Sequence, residues 1–71
     1  MILMSRHAAK RAAEMCVEEA EIATALTAPF LTYPNAAGHP RGTTYVAGRI
    51  AVPVGADGTV LTVLWHGRTQ R

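Results

Sequence analysis

Apolar and polar positions alternate most regularly over residues 43–66, TTYVAGRIAVPVGADGTVLTVLWH, where two turn signals separate three apolar runs. Gly48-Arg49 divides the first run from the second, and Ala56-Asp57-Gly58 divides the second from the third. Asp-Gly between β-branched runs is a strong short-range hairpin signal. The pattern predicts an antiparallel meander with strands over about 43–47, 50–54 and 59–65. Counting in twos sends Val46, Ile50, Val52, Val54, Leu61, Val63 and Trp65 to one face. Tyr45, Arg49, Ala51, Pro53, Val60, Thr62, Leu64 and His66 fall on the other. Pro53 conflicts with a central strand because it has no N–H for a ladder, so a bulge or an early end to pairing is expected there.

Upstream, the period changes to that of helices. Ile2-Leu3-Met4 reads as a short extended lead-in, and Ser5 as the N-cap of a helix over about 5–15 with a slim stripe of Ala8, Ala12 and Met15. Cys16-Val17 forms a tight joint in which Cys16 is expected to be buried. A second helix over about 18–27 opens on Glu18, Glu19 and Glu21, where carboxylates suit the amino-terminal dipole, and ends before Pro29. Residues 30–33 supply a further strand, residues 34–42 form a loop rich in turn formers, and residues 67–71 a polar tail. The chain is thus one α+β domain over residues 1–71, two amino-terminal helices packed on one face of a three- to four-stranded antiparallel sheet.

Composition narrows the function classes. Of the 71 residues 49% are hydrophobic, but thirteen are alanines, which bury little area each. A core of this kind typically supplies only ~3–5 kcal/mol, so a homo-oligomer or a heteromeric complex is expected, with residues 30–33 as an unprotected edge. The single cysteine allows no internal disulfide, and no Cys/His cluster has metal-ligand spacing, so no metal or cofactor is expected. The opening four apolar residues are too few for a signal peptide or a membrane span, and cytoplasmic residence is the default. Net charge is +2, with six arginines among seven basic residues, a composition suited to bidentate contacts with phosphate or carboxylate.

Two constellations could carry chemistry. His7 and Arg11 lie one helical turn apart, pairing a group that titrates near neutrality with a fixed cation, as phosphodiester cleavage could use. The plain alternative is an ordinary surface helix, with Arg11 paired to Glu14. Tyr45, Arg49, Thr62 and His66 share the open sheet face in the count above, where arginine, tyrosine and histidine could bind and cleave RNA without metal. The alternative there is a solvated face of a half-buried sheet. Gly55-Ala56-Asp57-Gly58 is a turn lacking the lysine of a phosphate loop. Aromatic residues make up only 6%, which argues against a base-stacking platform.

The order of motifs carries a resemblance. Ser-Arg-His-Ala-x-x-Arg is followed by Val-Glu-Glu-x-x-Ile-x-x-Ala-Leu-x-x-Pro, an aromatic strand, Tyr-Val-x-Gly and Asp-Gly-Thr-Val-x-Thr-Val. Over about residues 4–65 this resembles a domain-of-unknown-function family of small bacterial and phage proteins that looks related to the RelE-type toxin fold of barnase-like and colicin-type ribonucleases. The resemblance implies two helices on an antiparallel sheet and metal-independent RNA cleavage. The motif positions His7, Arg11, Tyr45 and Thr62 match; in a ribonuclease reading built on them together with the open face, His7, Arg11, Tyr45 and His66 would act in catalysis, and Arg49, Thr62 and Arg68 would hold RNA. Partners in that case are RNA and an antitoxin. The chain departs from the pattern at Cys16, where glycine is usual, at Glu18, where a serine or threonine cap is common, and in lacking the extra helix and basic strand ends of many active toxins. The competing expectation is a catalytically inert phage or mobile-element protein that docks on a host protein through its open sheet face or an edge strand.

Overall fold

The computed structural model describes residues 2–38 and 40–66. Helices α1 (Arg6–Glu14) and α2 (Glu19–Thr27) precede strands β1 (Leu31–Pro34), β2 (Gly42–Ala47), β3 (Ile50–Gly55) and β4 (Leu64–Trp65). The strands form one antiparallel sheet in the order β1-β2-β3-β4. The expected α+β arrangement of two helices and a four-stranded antiparallel sheet is what the chain adopts. Arg68 and the rest of the tail lie outside the described residues, as does His39.

Local chemistry explains the helix ends. The Ser5 hydroxyl accepts the Ala8 N–H (3.0 Å) as a true N-cap and donates to the Leu61 carbonyl (3.0 Å), so one side chain both starts α1 and ties it to the last segment of the chain. The lead-in is fixed by the same segment, with Met4 bridging Val60 in parallel. At the other end the Val17 N–H returns to Ala12 O (2.9 Å) and the Cys16 N–H to Ala13 O (3.2 Å), the pattern of a Schellman stop. Its left-handed position, normally glycine, is Cys16 at φ 57°. Cys16 is exposed, contrary to the buried position expected, because the left-handed turn swings its side chain out of the joint while Val17 goes in. At α2 the Glu21 carboxylate reaches back to accept the Glu18 N–H (3.4 Å), the N3-to-N-cap half of a capping box with Glu18 standing where serine or threonine is common.

The core lies between the helices and one sheet face. Ala8, Ala12 and Met15 of α1 and the joint, with Ile22 and Ala25 of α2, cluster with Ala47, Ile50, Val52, Val54, Val60 and Val63. Helix α2 packs on β2 and β3, while α1 is tied to the segment at Val60 and Leu61, and the β-branched residues fill the space between.

Two parts of the face count need correction. Gly48-Arg49 is a two-residue hairpin loop, so Ala47 and Ile50 are partners and share a face. Counting through the pairs puts Val46 opposite Ala51 on the outer face and Tyr45 opposite Val52 on the helix face, the reverse of the expectation for both. The last run, expected as one strand over 59–65, is broken. Only Leu64 and Trp65 pair with β3, while Val60 makes separate bridges to Val54 and Met4. The phase slips between them, which buries Val60 in the core and leaves Leu61 partly exposed. Pro53 explains the break. It pairs with Thr44 on the β2 side but has no N–H to offer β4, and its carbonyl takes the Leu61 N–H (2.8 Å).

Candidate functional site

The sequence-derived candidates do not converge. His7 stands exposed on α1, and Arg11 one turn on is held by Glu14 at 3.5 Å. Tyr45 packs on the core cluster beneath the helices. Arg49 leaves its turn toward α2 rather than the open face. Its Nε and Nη2 donate to the Glu21 carboxylate (3.0 and 2.8 Å), Nη2 also reaches Cys16 O (3.3 Å), and its guanidinium lies 5.1 Å above the Trp65 ring. Only Thr62 and His66 remain on the outer face, with the sheet between them and His7. This separation was not legible from spacing, because Arg49 and Glu21 are 28 residues apart and only the packing of α2 on the β2–β3 turn brings them together.

The Arg49–Glu21 fork has a pH consequence. Its hydrogen bonds hold the Glu21 carboxyl below the ordinary glutamate range and push the Arg49 guanidinium further up, out of the working pH range. A carboxyl with a depressed folded-state pKa stabilises fully above the unfolded value, and that contribution is lost as pH falls through the folded one. The expected result is that Glu21→Gln lowers the melting temperature at pH 7 and that this loss shrinks as the pH is lowered and the carboxyl is protonated. Thermal melts across an acid pH series check it, and a loss that stays constant along the series would assign Glu21 a role other than the ion pair.

The outer face is the feature that composition did not reveal. Leu31, Val46, Ala51 and Leu64 stand opposite one another across all four strands as one apolar row. Beside it lies a pocket of about 150 Å³, lined by Tyr33, Asn35, Thr44, Pro53, Thr62 and Leu64 and almost wholly apolar. Its polar floor is satisfied: Thr44 donates to Asn35 Oδ1 (2.7 Å), and Asn35 Nδ2 donates to Pro40 O (3.0 Å) and Val54 O (3.2 Å). The Phe30 and His66 rings meet at 5.9 Å, although Phe30 precedes β1 and His66 follows β4 at opposite sheet edges. Phe30 is 64% exposed, Leu31 44%, Tyr33 41% and Leu64 43%, so four large apolar side chains crowd a face that an isolated domain would normally make polar. Among the described residues the face carries no lysine, arginine, aspartate or glutamate.

Among the described residues no three His, Cys, Asp or Glu side chains are grouped to hold a metal ion, and no helix is long and apolar enough to cross a membrane. Comparison with protein-family models, with curated proteins and with solved structures found no match for this chain.

Proposed function

We propose that this chain is a small protein-interaction module that works through its uncharged outer sheet face. The observation that carries this reading is the exposure of four large apolar side chains, Phe30, Leu31, Tyr33 and Leu64, of which Tyr33 and Leu64 line one pocket, with every described aspartate, glutamate, arginine and lysine kept to the helices, turns and loops. Such a surface suits the desolvated centre of a protein interface, where charged residues are depleted and aromatic ones enriched. Among its described residues it offers no lysine or arginine to a phosphate backbone, which demands cations.

A ribonuclease of the toxin type is the second reading. One observation favours it: His7 and Arg11 lie on accessible positions one turn apart, and the pair Arg11 makes with Glu14 is local and long. Against it stand the engaged fork of Arg49, the core-side position of Tyr45 and the distance of His66 across the sheet. A general acid–base residue contributes about 10²–10⁴-fold, so chelator-resistant RNA cleavage that falls more than about tenfold in His7→Ala would establish this reading instead.

The interaction reading is tested by placing a photo-crosslinking residue at Leu64 and, as a control, at Lys10 on α1 in cells that make the protein. Heavier adducts are expected from position 64 and not from position 10. Equal yields at both positions, or none at position 64, would remove the outer face as the working surface.

A further inference from the structure

We propose that the pocket beside β1 and β4 binds a small uncharged molecule, a single aromatic ring that carries a hydrogen-bond donor, of which phenol is the simplest case. Size sets the first part of that class. An apolar cavity of about 150 Å³ accepts a benzene ring, and the pocket has that volume. Ala36, Pro53 and Leu64 present carbon to a ring placed there, and the Tyr33 side chain adds an aromatic surface for an offset or edge-on contact. None of the lining residues is charged at neutral pH, so an ionised ligand would leave water without a counter-charge and is excluded.

The hydrogen bonds of the floor set the second part. Asn35 Nδ2 donates to the carbonyl oxygens of Pro40 (3.0 Å) and Val54 (3.2 Å), which can only accept. The amide is therefore fixed with its nitrogen toward those carbonyls and its oxygen toward Thr44. Thr44 Oγ1 must then be the donor in its 2.7 Å contact with Asn35 Oδ1. Both hydrogens of Nδ2 and the hydroxyl hydrogen of Thr44 are thus engaged within the chain, while Asn35 Oδ1 and Thr44 Oγ1 each keep lone pairs. The floor can accept a hydrogen bond from a ligand and has none to give. An O–H or N–H on the ring finds a partner there, whereas an ether or a ring-nitrogen acceptor does not. Thr62, on the wall, has a hydroxyl that can turn to donate or to accept, so it does not set this preference.

Amide NMR titration of the whole chain tests the proposal, with phenol, toluene and benzoate as probes. Phenol and toluene match in shape and differ in the donor. Because water holds the hydroxyl, a pocket without a partner for it favours toluene by about tenfold or more. The expected result is the reverse order, phenol binding at least as tightly as toluene, with a dissociation constant of about 0.1–5 mM. Shifts should concentrate at Tyr33, Thr44, Thr62 and Leu64, leave Lys10 on α1 unmoved, and be absent with benzoate. Thr62→Val keeps the wall without its hydroxyl and should preserve the order of the two probes, while Thr62→Trp fills the space and should weaken phenol at least about tenfold.

Toluene as the tighter ligand overturns the proposal, as do shifts scattered over the surface or no saturation by either ring. Loss of the phenol preference in Thr62→Val would also overturn it, since the donor would then be met by the wall and not by the floor. These outcomes need only the wild type and Thr62→Val, so they stand whether or not Thr62→Trp keeps the wild-type circular dichroism. The titration uses the chain alone, so its failure leaves the crosslinking test of the protein interface untouched.

Discussion

Replacing Gly42 by alanine is expected to cost this domain about 3 kcal/mol or more, while the same change at Gly48 costs about 1–2 kcal/mol. Both glycines have positive φ, 152° at Gly42 and 58° at Gly48, so both substitutions strain the backbone. Their surroundings separate them. A methyl at Gly48 meets nothing within 4 Å, whereas at Gly42 it would lie 2.9 Å from the Val54 carbonyl carbon, closer still to its oxygen, and 3.0 Å from Asn35 Nδ2. Backbone cannot yield as a side-chain end can. Relief requires β2 to part from β3 at the Gly42–Gly55 pair and Asn35 to leave the Val54 carbonyl, which would in turn abandon the buried Thr44 hydroxyl. Urea unfolding of the two variants at equal protein concentration measures the difference. Equal midpoints would mean that the close approach at Gly42 relaxes without loss of pairing.

That pocket floor shows what the sequence could and could not disclose. The element order, the Ser5 cap, the joint at residues 15–17 and both hairpin turns were readable, because each rests on local chemistry: a hydroxyl before a helix, a stop with a left-handed residue, Asp57-Gly58 between β-branched runs. The face of Tyr45 and Val46 was readable in principle as well. A two-residue loop makes its flanking residues partners, and counting through the pair, rather than along the chain, gives the observed phase. Other features have no local signature. Val60 entered the core because the lead-in residue Met4 bridges it from 56 positions away. Arg49 turned toward the helices because Glu21 and the Trp65 ring wait for it there. The apolar outer row was hidden by the same phase error, which had placed Val46 inside and charged Arg49 outside.

Ile22→Ala is the substitution in the helix layer with the largest expected effect. Helix α1 contributes only alanines and a methionine from its end to the core, and of the buried positions on α2, Ile22 and Ala25, only Ile22 carries a large side chain. Ile22 is therefore the main knob that the helix layer sets into the β-branched floor of Ile50, Val52 and Val63. Truncating a buried isoleucine to alanine removes its transfer free energy and leaves a cavity, together about 2–5 kcal/mol. A chain of 71 residues has roughly 4–10 kcal/mol in all, so the loss approaches the stability of the fold. Ile22→Val, which removes one methylene, should cost only about 0.5–1.5 kcal/mol. The measurement is the urea midpoint of wild type, Ile22→Val and Ile22→Ala at one fixed protein concentration, since association would otherwise shift it. An Ile22→Ala protein that unfolds at nearly the wild-type midpoint would show that α2 contributes little to holding the sheet, and that the outer face, once covered, carries the stability instead.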